Sequence, residues 1–171
     1  MPPSRTVVAI LRLQGMARAF IGLGSNLGER RETLKAAIGR LRGLPEVEVK
    51  GVSNFRDTEP VDYLDQPRFL NGAVELETEM SARALLGVLL ELERAFGRDR
   101  GTAAPHGPRT LDLDLLLYGD ATIDEPLLKV PHPRLHERRF VLEPLAELDP
   151  DLEVPGQGSV QALLARLDSG G

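Results

Sequence analysis

With 171 residues and no cysteine, the chain is long enough to bury about 70% of its unfolded surface as one domain. Disulfides, iron–sulfur clusters, thiolate zinc sites and cysteine nucleophiles are excluded, and the composition fits a reducing, cytoplasmic setting. A formal net charge of −5 argues against a protein whose whole surface attracts nucleic acid.

The first fifteen residues carry the apolar run Val7–Leu11 between Arg5 and Arg12, far short of the roughly 18 apolar residues that a membrane span needs. Met16 opens a second plausible start, so residues 1–15 read as an extension without function and 16–171 as the single domain. Ala17–Leu23 reads as a short buried strand entering the turn Gly24–Gly28. A helix follows over Glu29–Leu41, with Leu34, Ala37, Ile38 and Leu41 as its apolar stripe, stopped by Gly43 and Pro45. Val47–Phe55 alternates as a half-exposed strand. Arg56–Arg68, punctuated by Pro60 and Pro67, is expected to be irregular, and Phe69–Glu77 resumes as a strand.

Ser81 caps a second helix running to Phe96, with Leu85, Leu89, Leu92 and Phe96 on one face. A Gly-, Pro- and Arg-rich loop over Gly97–Gly107 then delivers the chain to Leu111–Leu115, whose period of two describes a strand. The order β-α-β-β-α-β is that of the ferredoxin-like α+β fold, with helices packed on an antiparallel sheet. Beyond Gly119, Pro126, Pro131 and Pro133 mark a long loop, and Glu137–Glu147 and Val160–Leu167 are expected to form a C-terminal helical extension.

The chemistry concentrates at Asp112 and Asp114. On a strand both carboxylates project from one face, and two such charges about 6 Å apart repel by roughly 2–3 kcal/mol at an effective dielectric near 20. The pair calls for a cation. Arg94, Arg98, Arg100 and Arg109 precede or enter this strand and Arg134, Arg138 and Arg139 follow it, groups suited to a polyanion of limited size. Carboxylates amid anion-binding groups suit Mg²⁺, which bridges carboxylate to phosphate. The spacing of His132 and His136 invites a zinc site, but Pro133 lies between them and a third ligand is not evident.

Other nucleotide folds fit poorly. Gly22–Gly28 spaces its glycines one residue off the dinucleotide fingerprint, and a Walker A loop is absent. Aromatic residues make up only 4% of the chain, so Phe69 and Phe140 stand out as a pair able to hold a flat heterocycle, with Asn71 reading its edge.

Taken together, Gly22-Leu-Gly-Ser-Asn-Leu-Gly28, Thr58-Glu-Pro60, Gln66-Pro-Arg-Phe-Leu-Asn71, Gly107-Pro-Arg-Thr-Leu-Asp-Leu-Asp114 and Val130-Pro-His132 resemble the 6-hydroxymethyl-7,8-dihydropterin pyrophosphokinases of folate biosynthesis. The resemblance runs from Ala17 to Leu167. It implies transfer of pyrophosphate from ATP to the pterin hydroxymethyl group with release of AMP, two Mg²⁺ ions on Asp112 and Asp114, and a monomer acting on small molecules without nucleic acid or membrane. It also implies a pterin site at Thr58, Val61, Phe69, Asn71 and Phe140. Glu93, Arg98, Arg100, Arg109, His132 and Arg138 fall at positions near ATP, with Arg98 and Arg100 in a loop able to close during catalysis.

The chain departs from the family pattern at His106, where many relatives have tryptophan, and at Pro133, Leu90 and Leu127, all on the adenine side. Two other readings remain open at this level: a different Mg-dependent phosphotransferase or hydrolase using the same aspartates, and a non-catalytic ferredoxin-like binding module.

Overall fold

The computed structural model describes residues 16–26, 28–58, 68–97 and 111–169. Its elements are β1 (Ala17–Ser25), α1 (Arg30–Arg42), β2 (Val47–Val52), β3 (Arg56–Thr58), β4 (Phe69–Thr78), α2 (Ala82–Gly97), β5 (Asp112–Tyr118), β6 (Ile123–Glu125), β7 (Leu128–Val130), a 3₁₀ turn (Leu135–Glu137), α3 (Arg139–Leu148), β8 (Glu153–Val154), β9 (Gly158–Ser159) and α4 (Val160–Ser169). The main sheet runs β2-β4-β1-β5, every pair antiparallel, with β3 added to the start of β4. This is the ferredoxin-like order, in which each of two helices spans a pair of strands that holds another between them.

The sheet is buried on both sides by different elements. Ile21 and Leu23 of β1, Leu70, Val74 and Leu76 of β4 and Leu113 and Leu115 of β5 meet the helical stripes Leu34, Ala37, Ile38, Leu41 and Leu85, Leu89, Leu92 in one core. Both stripes are the ones that the 3.6-residue period predicts. On the opposite face Phe20, Ala73, Leu116 and Leu117 pack under Leu142 and Leu145 of α3 and Val160 and Leu163 of α4. A register shift between Phe20 and Ile21 turns Leu116 and Leu117 both into this second core, a device that one added residue in a strand allows.

Several expectations are corrected. Arg56–Thr58 is ordered as a strand on β4, because Thr58 and Phe69 pair directly and Asp57 is held by both Arg30 and Arg68. The strand expected to reach Phe55 ends at Val52, where the Ser53 hydroxyl accepts the Ala73 N–H in place of a ladder bond. The stretch after Gly119 is a hairpin, β6–β7, since Pro126 occupies its turn and Pro131 follows its second strand, leaving the paired residues free of proline. The expected helix from Glu137 divides into the 3₁₀ turn and α3 at Arg138, whose backbone is extended. The small hairpin β8–β9 also precedes α4.

Ser81 caps α2 as expected, its hydroxyl accepting the Ala84 N–H at 3.1 Å. No helix among the described residues is long and apolar enough to cross a membrane.

Leu145, fully buried between α3 and the sheet, sets a test of the second core: Leu145→Ala should lower unfolding free energy by about 2–5 kcal/mol in urea titration. A loss within error of zero would mean that α3 contributes little to the folded state.

Candidate active site

Among the described residues α3 and α4 cover the second face of the sheet over only part of its length, and the remaining part gathers polar residues. Strand β1 lies between β4 and β5, with Gly24 opposite Asp112 on one side and Asn71 on the other, and Gly22 opposite Asp114 and Ala73. Directly opposed residues share a face. Asp112, Gly24, Asn71 and Arg56 therefore form one row and Asp114, Gly22 and Ala73 the next, while Thr58 and Phe69 extend the same face at the start of β4. The two carboxylates stand about 6–7 Å apart along β5, the repeat of alternate strand residues.

The glycines keep the ground between the carboxylates and Asn71 low. A Cβ on Gly24 would lie 2.8 Å from the Asn71 Oδ1 and 3.5 Å from Phe69 Cδ1, so the Asn71 side chain occupies the space that any larger residue would take. Asn71 is 8% exposed, and its amide nitrogen donates to the Thr58 hydroxyl. That bond uses one of the two amide N–H groups and orients the Oδ1, an acceptor, above Gly24. Arg56 reaches from the same row to Glu147 of α3 at 2.8 Å, and closes the covered side of the site.

Glu93 comes from α2 and lies at the edge of β5, where one carboxylate oxygen accepts the Leu113 N–H at 2.8 Å. It therefore grips the strand between the two aspartates. His132 is fixed from β5 as well: its backbone N–H donates to the Leu116 carbonyl at 2.9 Å, and its Nδ1 accepts the Arg134 N–H at 3.2 Å. An accepting Nδ1 puts the proton of the neutral ring on Nε2, which is then a donor.

Burial holds the His132 pKa below its ordinary 6.5; the Asp114 charge opposes this, and Arg138 and Arg134 reinforce it. Arg138 in turn lies over the Phe140 ring, 5.6 Å from its centre. Phe140 sits in the first turn of α3, the helix that packs on β4.

The structure thus brings Thr58, Phe69, Asn71, Asp112 and Asp114 onto one face, with Glu93, His132 and Arg138 around it. Val61, Arg98, Arg100 and Arg109, together with His106, lie outside the described residues. Asp114 is exposed and Asp112 half-buried, and among the described residues no group of three or more His, Asp or Glu side chains converges as a protein-only metal cage. His136 leans instead toward Glu137 at 3.6 Å.

Sequence reading placed Gly22 in the buried strand and Gly24 in the turn, and assigned neither to the candidate site. The signal was present in their spacing of two, which on a strand assigns them to the same face.

Residues 20–150 match the protein family described as 7,8-dihydro-6-hydroxymethylpterin-pyrophosphokinase. The chain belongs to this family.

Two relatives named 2-amino-4-hydroxy-6-hydroxymethyldihydropteridine pyrophosphokinase agree with that membership. The Pseudomonas aeruginosa protein is 45% identical over 148 residues, 86% of this chain and 90% of its own length. That of Methylorubrum extorquens is 42% identical over 156 residues, 91% of this chain and 97% of its own. Among solved structures, the Plasmodium falciparum HPPK-DHPS wild type with pterin and p-hydroxybenzoate superposes with a TM-score of 0.70 at 14% identity, covering 91% of this chain. The chain spans 44% of that longer protein, and at this identity the likeness speaks for the fold alone. As a family member the chain is an ATP-dependent pyrophosphokinase of folate biosynthesis.

Two measurements test the site. Gly24→Ala should raise the KM for the acceptor by about tenfold or more through displacement of Asn71, with the KM for ATP little changed; equal effects on both substrates would remove Gly24 from the acceptor side. For His132 the folded pKa lies below 6.5, so its contribution to stability is full above that pH and is lost as pH falls through the folded value. Without divalent ions, wild type should lose more melting temperature between pH 7 and pH 5 than His132→Asn does.

Proposed function

We propose that the open end of the sheet is where pyrophosphate passes from ATP to 6-hydroxymethyl-7,8-dihydropterin, with Asp112 and Asp114 as ligands for two Mg²⁺ ions. The observation that carries this reading is the shared face: Asp112 and Asp114 stand across two glycines from Asn71, Thr58 and Phe69, so a phosphate donor on one side and a flat acceptor on the other meet over β1.

The donor set fits the metal. Two carboxylates offer hard oxygen ligands, and Mg²⁺ characteristically takes its remaining ligands from water and phosphate. When bound, it neutralises the triphosphate and aligns the β-phosphorus for displacement.

The protein's own groups bind and orient. Glu93 holds the strand between the aspartates through the Leu113 N–H, which keeps both carboxylates on the open face. The His132 Nε2–H and Arg138 are donors for phosphate oxygens, and a neutral His132 serves as a hydrogen-bond donor without adding charge. Asn71 presents its Oδ1 to N–H groups on the pterin edge, Thr58 orients Asn71, and Phe69 and Phe140 take the two faces of the ring. Arg98, Arg100 and Arg109 complete the polyphosphate contacts, with Val61 on the pterin side.

In the transfer the hydroxymethyl oxygen forms a bond to the β-phosphorus and the bond from that phosphorus to the α,β-bridging oxygen breaks, so AMP departs with the electron pair and the hydroxyl proton passes to solvent. Positioning and electrostatics supply the rate. ATP as donor fits a cytoplasmic reaction, and one chain contains every proposed residue, which fits a monomer.

Incubation with ATP and the hydroxymethyl-dihydropterin should yield AMP in equal amount to the ATP consumed; ADP or inorganic phosphate in its place would overturn the reading. Asp112→Ala and Asp114→Ala should each lower turnover by about 100-fold or more with an unchanged circular-dichroism spectrum.

A further inference from the structure

On the other side of the sheet from the aspartates, α1 and the connection from β2 to β3 flank an open hollow of about 430 Å³. That is within the roughly 300–1,000 Å³ of small-molecule sites. Its cationic wall is Arg31, Lys35 and Arg42, and its apolar lining includes Ile38, Val52 and Phe55. No carboxylate lines it.

These cations are distinguished by their place around one hollow. Arg18, Arg30, Arg56, Arg68, Arg83, Lys129 and Arg139 are each held by a carboxylate. Among the described residues no carboxylate holds the side chains of Arg31, Lys35 and Arg42, a state they share with Arg40, Arg94 and Arg166, but only these three line the one hollow. In a chain of net charge −5, three such cations around one hollow concentrate positive potential there. The Arg31 guanidinium lies over the Phe55 ring, 5.5 Å from its centre, which leaves its outer face for a second flat group or an anion. Gly39 opens the helix side: a Cβ there meets nothing within 4 Å.

We propose that this hollow is a second binding site, separate from the catalytic face, for a small anion in which a planar heteroaromatic ring carries phosphate. The ring enters over Gly39 against Ile38, Val52 and Arg31, and the phosphate meets Lys35 and Arg42. Nucleoside monophosphates and pterin phosphates share this chemistry.

The test is calorimetric titration of the full chain, without divalent ions, with AMP, with 6-hydroxymethylpterin diphosphate and with inorganic pyrophosphate as the ringless control. At least one ring-bearing probe should saturate a site that Arg31→Glu/Lys35→Glu weakens tenfold or more. Gly39→Leu, which fills the hollow without altering charge, should weaken the same probe while pyrophosphate binding stays as it was. Turnover at saturating substrate should be unchanged in Gly39→Leu, which also shows that it is folded.

Whichever ring-bearing probe binds in this pattern identifies the source of the ligand. Binding that survives both variants belongs to the catalytic face and overturns the proposal, as does the absence of saturable binding by either ring-bearing probe. Pyrophosphate binding equal to that of the ring compounds would overturn it as well.

Discussion

The arrangement depends on the register of β1 between its two neighbours. Its alternate residues divide into Ile21 and Leu23, which enter the helical core, and Gly22 and Gly24, which lie on the other face opposite Asp114 and Asp112. The side-chain period is two, so a slip of one residue would exchange these sets and carry the aspartates of β5 toward the leucines. The core thus specifies the site. The same buried contacts that stabilise the sheet hold two like charges on one face, and the repulsion between them is borne by the fold as a whole.

The second core adds a boundary. Helices α3 and α4 cover Phe20, Ala73, Leu116 and Leu117 but leave the carboxyl-bearing end of β5 and the start of β4 uncovered. The register shift at Phe20/Ile21 lies between these regions; on one side of it β5 presents leucines to α3, and on the other it presents aspartates. Arg56 to Glu147 and the His132 N–H to the Leu116 carbonyl tie the covered part to the open part. The groups proposed for catalysis, from a strand, a loop and a helix terminus, are in this way referenced to one sheet, which is what precise positioning requires.

Much of this was legible in the residues. The helical stripes, the Ser81 cap and the Leu-Asp alternation each have a strong local period, and the structure follows them. Elements whose order comes from distant partners were not legible: β3 exists because Asp57 finds Arg30 and Arg68, and β6–β7 forms because its prolines fall outside the paired residues. For the site, Asp112, Asp114 and Asn71 could be picked out by type and spacing. Glu93 could not be given its actual contact, since its partner is a backbone N–H twenty residues away and no side-chain pattern marks such a bond. Gly22 and Gly24 were missed for a related reason: a glycine contributes by what it leaves empty.

The hydrogen bond from Leu113 to Glu93 has a further effect on the chain's behaviour among copies of itself. Among the described residues β5 is at the end of the sheet path and has a ladder partner on one side only, and an edge of that kind is a template for strand addition by another molecule. The Glu93 carboxylate occupies the outward-facing N–H of Leu113, the second residue of β5, and an incoming backbone would have to displace a charged acceptor to pair there. The residue that steadies the aspartate strand therefore also raises the cost of pairing another strand at this edge.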